Sequence, residues 1–140
     1  MRCVLDTNVV VAGMRSPSGA SAALLLAARH GEITMLANVA LALEYEATCR
    51  HAEHGVAAGL KPAQVTIFID AVIAMVEPVE THFLWRPQLR DPADELVLEA
   101  AVNGRAAAIV TFNEQDFGAV PMQFGVEVLS PSDVLRRIKK

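Results

Sequence analysis

No stretch of this sequence runs for about 18 apolar residues, the length a membrane-spanning helix needs, so no span is expected. Cysteine is almost missing. Cys3 and Cys49 are far apart and form no metal-ligand spacing, which excludes a thiolate metal site and leaves packing as their role. Positive charge is scarce too: 12 Lys and Arg stand against 16 Asp and Glu, a net charge of −4. That argues against a sequence-independent nucleic-acid binder relying on a strong positive field. It leaves room for an enzyme that reaches phosphates through a bound cation. Repeats, low-complexity tracts and linker-like stretches are absent, so residues 1–140 read as one domain. The start, "MRCVLDTN", has an acid at position 6 where a secretory signal needs an apolar core, and a cytoplasmic location is expected.

What is present is ample apolar material, 53% of residues, enough for one substantial core without staples. Strands are predicted at residues 2–5, 32–36, 107–112 and 126–129, with a short one in "VEPVE" at 76–80. Helices are predicted over 21–30, with Ser18 or Ser21 as cap, from Asn38 to about Arg50, over 63–75, and from Asp91–Pro92 to about Asn103, where Gly104 stops it. A last helix begins at Ser130, Pro131 and Asp133 and ends in Arg136, Arg137, Lys139 and Lys140, a charge order that suits the helix dipole. "HAEHGVAAGLKP" reads as a loop. Strands that are unbroken apolar runs and alternate with helices imply an α/β fold, a parallel sheet covered on both faces. In such sheets the site lies beyond the carboxyl ends of the strands.

Four acids fall at that edge. Asp6 follows the first strand inside "VLDTNVVV", wedged between apolar runs, where it either closes an Asx-type turn with Thr7 and Asn8 or serves as a metal ligand or acid–base group. Glu44 has Ala40, Leu41, Ala47 and Thr48 as helix neighbours, none basic, whereas Glu46 has Arg50 four residues on and reads as solvated surface. Periodicity alone leaves Glu44 open between the rim of the buried stripe and a cleft. In "RDPADELVLEAA", Asp91 is accounted for as a helix cap; Asp94, among Val97, Leu98 and Ala101, is not. Asp116 follows a strand in "IVTFNEQDF" and by itself is a turn or cap residue. Taken together these carboxylates would repel, at about 4 kcal/mol for a pair about 4 Å apart at an effective dielectric near 20. A positive ion should sit among them, and all-oxygen ligands favour Mg²⁺ or Mn²⁺. Such an ion suits phosphodiester hydrolysis.

The four motifs "VLDTNVVV", "LEYEATCR", "RDPADELVLEAA" and "IVTFNEQDF", in that order and across nearly the whole chain, resemble the PIN-domain proteins, and more closely the VapC-like toxins of bacterial toxin–antitoxin systems. The resemblance implies a three-layer α/β/α fold with a central parallel sheet and a Mg²⁺- or Mn²⁺-dependent ribonuclease. It places the catalytic, metal-binding acids on Asp6, Glu44 and Asp94, with Asp91 often acidic and the last motif on Asn113 and Asp116. Many relatives carry an aspartate at the position of Asn113, so Asp116 is expected to supply the carboxylate there. Thr7, Asn8 and Thr111 are expected to orient the acids. Arg15, Arg86 and Arg90 flank the acidic motifs as candidate phosphate contacts, each equally explicable as a solvated surface arginine. Toxin-like relatives pair with a small antitoxin and often form homodimers. The alternative is a catalytically weakened protein of the same fold that binds a partner protein or RNA, of which Asn113 would be an early sign. A receiver-type domain would need an aspartate after the third strand and a late lysine; Thr81 and His82 follow that strand, and no lysine lies between Lys61 and Lys139. His51 and His54, three apart, read as helix-end polar residues rather than a metal pair; His30 and His82 are isolated.

Overall fold

Among the described residues five short segments form one parallel sheet: β1 (Arg2–Leu5), β2 (Thr34–Ala37), β3 (Glu77–Pro78), β4 (Ala108–Val110) and β5 (Glu127–Leu129), in the order β3-β2-β1-β4-β5. The computed structural model describes residues 1–82 and 88–139. Val4, Leu5, Leu36, Ile109 and Val110 are fully buried, as strands covered on both faces must be. The expected strands are all present but shorter, and "VEPVE" keeps only two paired residues.

The helices are α1 (Thr7–Arg15), α2 (Ala20–Arg29), α3 (Val39–Cys49), α4 (Ala52–Ala58), α5 (Pro62–Met75), α6 (Pro92–Asn103), α7 (Glu114–Phe117), α8 (Val120–Gln123) and α9 (Pro131–Ile138). They cover the sheet on both faces in a three-layer α/β/α arrangement; α6 lies across β1, β2 and β4, while α2 packs on both α1 and α9. Three caps are as expected. Asn38 accepts from the Leu41 N–H at 2.8 Å, Asp91 from Ala93 at 2.9 Å, and Ser130 and Asp133 form a reciprocal capping box. The expected cap of α2 differs: Gly19 holds that position with no side-chain bond, and Ser21 is buried inside the helix.

Two helices depart from the sequence reading. The segment after Asp6 has no expected element, because three successive β-branched valines are poor helix formers. It is α1, whose Val9, Val10, Val11 and Met14 are buried, and that packing outweighs local propensity. The segment expected as a loop contains α4, which Gly59 ends in the left-handed conformation at φ 71° while the Leu60 N–H closes on the Gly55 carbonyl. The two cysteines are free and buried in the core, and burial pushes both thiols up to about 11, as packing residues require. Among the described residues no single helix is long and apolar enough to cross a membrane.

Candidate active site

The strand order reverses between β1 and β4, and a crevice opens there at the carboxyl ends of the strands. Asp6 directly follows β1 and Thr111 directly follows β4. They meet across the crevice: the Thr111 hydroxyl, fully buried, donates to Asp6 Oδ2 at 2.7 Å. The other carboxylate oxygen accepts from the Thr7 N–H at 2.8 Å, so Asp6 is also the N-cap of α1. One side chain therefore both caps α1 and joins the ends of β1 and β4. Asp6 is 9% exposed, and burial raises its pKa. The Thr111 and Thr7 bonds act in the opposite direction, and Asp116 and Asp91 add to the rise.

Asp94 lies in the first turn of α6 and is likewise 9% exposed. Its pKa is raised to about 6, first by burial and then by Asp6, Asp91, Asp116 and Glu44. Every charge that moves it is negative. Glu44 is half-buried on α3, and burial followed by Asp6 and Asp91 raises it as well. Glu44 lines a depression with Thr7, Asn8, Arg15, Thr48 and His54. Glu46 instead pairs with Arg50 at 3.5 Å on the surface, as its spacing suggests. Asp91 and Asp116 are both exposed; Asp116 shares the wall of a depression of about 380 Å³ with Arg90, Asp91, Asp94 and Gln115.

Thus β1, α3, α6 and α7 bring Asp6, Glu44, Asp91, Asp94 and Asp116 within electrostatic reach of one another. Asn113 contributes differently from a ligand. Its backbone N–H donates to Thr111 Oγ1 at 3.0 Å, and its side chain, at the N-cap position of α7, makes no capping bond. Thr7 likewise acts through its backbone N–H. Asn8 lines a separate depression with Arg15, Glu44 and His54. Arg86 lies outside the described residues, as does Lys140. His51 and His54 face each other with ring centroids 6.2 Å apart and join no ligand group.

Three supporting contacts were not visible in the sequence. Tyr45, next to Glu44, is buried and donates its hydroxyl to the Leu5 carbonyl, tying α3 to the residue before Asp6. A buried phenol needs a partner, which was the available signal in "LEYEA". Glu95 is buried and accepts from the Gln88 and Leu89 N–H groups at 2.6 and 2.7 Å, fixing the chain that leads into Asp91. Asn38, besides capping α3, reaches the Leu96 carbonyl at 3.5 Å and so links α3 to α6.

The donor set suits a hard divalent cation: carboxylates only, two of them desolvated, with like charges as neighbours. As placed, no three Asp, Glu, His or Cys side chains among the described residues converge closely enough to hold an ion. The donor chemistry fits such an ion, with Asp91 engaged in capping α6 and Asp116 exposed at the mouth.

A profile of the PIN domain matches residues 2–115. The fold superposes on a chain in the crystal structure of VapBC2 from Rickettsia felis bound to a DNA fragment from their promoter, with a TM-score of 0.63 and 15% identity, covering 92% of this chain and 98% of that one. At that identity the likeness speaks for the fold. No curated protein matches the sequence.

Proposed function

This chain belongs to the PIN-domain family, and we propose that it is a divalent-metal-dependent endoribonuclease, the toxin of a type II toxin–antitoxin pair. The observation that carries the reading is Asp94, held near 6 by burial and by four other carboxylates at the crevice where strand order reverses. A fold that needed only stability would not concentrate like charges there; a site that neutralises them on binding a cation would. Asp6, Asp94, Glu44 and Asp116 are the residues that would hold Mg²⁺ or Mn²⁺, which when bound neutralises phosphate charge and lowers the pKa of a water.

The chain's own residues prepare that step. Thr111 and the Thr7 N–H fix both oxygens of Asp6, so its orientation is set before substrate arrives. Glu44, on a different wall, is placed to orient or deprotonate the attacking water. Arg90 at the mouth is placed to meet a substrate phosphate. The cytoplasm is the proposed location. A small cognate antitoxin is the proposed protein partner, on the analogy of VapBC2, and a second copy of this chain is proposed from the resemblance to VapC-like toxins alone.

The test is cleavage of single-stranded RNA by the purified chain. Cleavage is expected with Mg²⁺ or Mn²⁺, to vanish in chelator, and to be absent in Asp6→Asn at a melting temperature within a few degrees of wild type. Expression of the chain alone is expected to arrest growth. Undiminished cleavage by Asp6→Asn sinks the site. A wild type that binds RNA or a protein partner but cleaves nothing replaces this reading with that of a weakened, binding-only member of the fold.

A further inference from the structure

Phe112 is 53% exposed, and among the described residues it is the one aromatic side chain in the open; Tyr45 and Phe117 are buried, and Phe68 and Phe124 are partly covered. Val110 and Thr111 are buried, and Phe112, two residues past the end of β4, is exposed. Packing thus gives no reason for an aromatic ring at this position. Phe112 lines a depression of about 590 Å³ together with Asn113, Gln115, Asp116 and Ser130. Gln115 and Asp116 also wall the acidic mouth beside Asp94, so the two depressions adjoin. The backbone that carries the ring is held on both sides. Thr111, before it, donates to Asp6, and the backbone of Asn113, after it, donates to Thr111. Both bonds refer the intervening residue to the central carboxylate.

We propose that Phe112 is a stacking platform for a nucleobase of single-stranded RNA next to the scissile phosphate, which rests on the ribonuclease reading above. At this edge the acids repel phosphates, so affinity close to the cut has to come from contacts that carry no charge. An uncharged ring supplies that by stacking, tolerantly of base identity and only with unpaired bases. The platform selects single-stranded RNA and sets the register of the backbone against the acids.

The test uses the full chain and a non-cleavable 2′-O-methyl single-stranded RNA, with binding read by fluorescence anisotropy in chelator. Phe112→Ala is expected to weaken binding roughly 5- to 150-fold, the range for losing one stacked base, and Phe112→Trp to restore it. A series of RNAs, each with one abasic position, is expected to reveal one position whose removal weakens wild type by the same factor and leaves Phe112→Ala unaffected. Equal binding by wild type and Phe112→Ala, or an abasic series with no such position, overturns the proposal. Loss of antitoxin binding with RNA binding intact in Phe112→Ala overturns it in favour of a protein contact. If wild type neither binds nor cleaves RNA, the ribonuclease reading itself fails and the platform falls with it; if wild type cleaves while the variant is indifferent, only the platform falls. Melting curves establish that Phe112→Ala is folded, as its exposure leads one to expect.

Discussion

Replacing Asp94 by asparagine should make the protein more stable while destroying its activity. Its carboxyl is raised from an ordinary 3.8 to about 6. At about 1.4 kcal/mol per pH unit that corresponds to about 3 kcal/mol of native-state penalty at neutral pH. The group sits at an open mouth, where solvent and salt screen the neighbouring acids, so about 1 kcal/mol is the figure to expect. Asparagine is nearly isosteric and carries no charge, and the penalty goes with it. For a chain of this size the gain is a melting temperature higher by roughly 3 °C. The pH dependence follows from the direction of the shift. Above pH about 6 the carboxylate is charged in both folded and unfolded states, and the penalty is complete. As pH falls from about 6 toward 3.8 the folded protein takes up its proton first, and the penalty fades. The advantage of Asp94→Asn should therefore be full at pH 7 and nearly gone at pH 4. Divalent cation should reverse the order, raising the melting temperature of wild type and leaving the variant nearly unmoved. Differential scanning fluorimetry in chelator and in Mg²⁺, across that pH range, measures all of this. A variant less stable than wild type at pH 7 in chelator would refute the electrostatic argument, as would an advantage that does not change with pH.

Two further outcomes concern the residues around Asp6 and α7. Thr111→Val keeps the shape of a fully buried side chain but removes the donor to Asp6, at a cost of about 1.5–3 kcal/mol in chemical denaturation. The same loss makes the Asp6 carboxylate harder to ionise, so the acid limb of the pH–rate profile should move to higher pH; an unmoved limb would show that the hydroxyl does not tune the acid. Asp116→Ala should reduce RNA cleavage more than Asn113→Ala, because Asp116 bears on Asp6 and Asp94 whereas Asn113 bonds to Thr111 through its backbone, which alanine retains. Steady-state kinetics on both variants decide it, and the reverse order would give the amide a role beyond its backbone.

Much of the architecture was legible because the signals were local. Apolar runs at 2–5 and 107–112 are strands under any reading, and alternation with helices leaves a parallel sheet as the economical arrangement. Asn38, Asp91 and Ser130 announce helix starts through bonds to the next few residues. Helix α1 was hidden because its valines favour strands in isolation and become helical only through the core they enter. Helix α4 was hidden because seven residues rich in alanine and glycine carry too little periodicity to separate from a loop. The candidate acids could be named from the order of the motifs, but not which of them burial and neighbouring charge would perturb.

The sequence by itself determined which residues are acidic, that Asp6, Asp94 and Asp116 lie at or near strand or helix ends, and that Glu44, within its helix, has different neighbours from Glu46. Those facts follow from spacing along one segment at a time. Only the tertiary structure decided that β1 and β4 are neighbours with the order reversing between them, which sets Thr111 on Asp6 across 105 residues of chain. It also decided that Asp94 is raised to about 6, since that depends on burial and on charges from three other segments, at Asp6, Glu44 and Asp116, besides the neighbouring Asp91. Asn113 was the question in the sequence. In the fold it is answered by its backbone, because a side chain's role at a site depends on what stands opposite it, and no segment contains its own opposite wall.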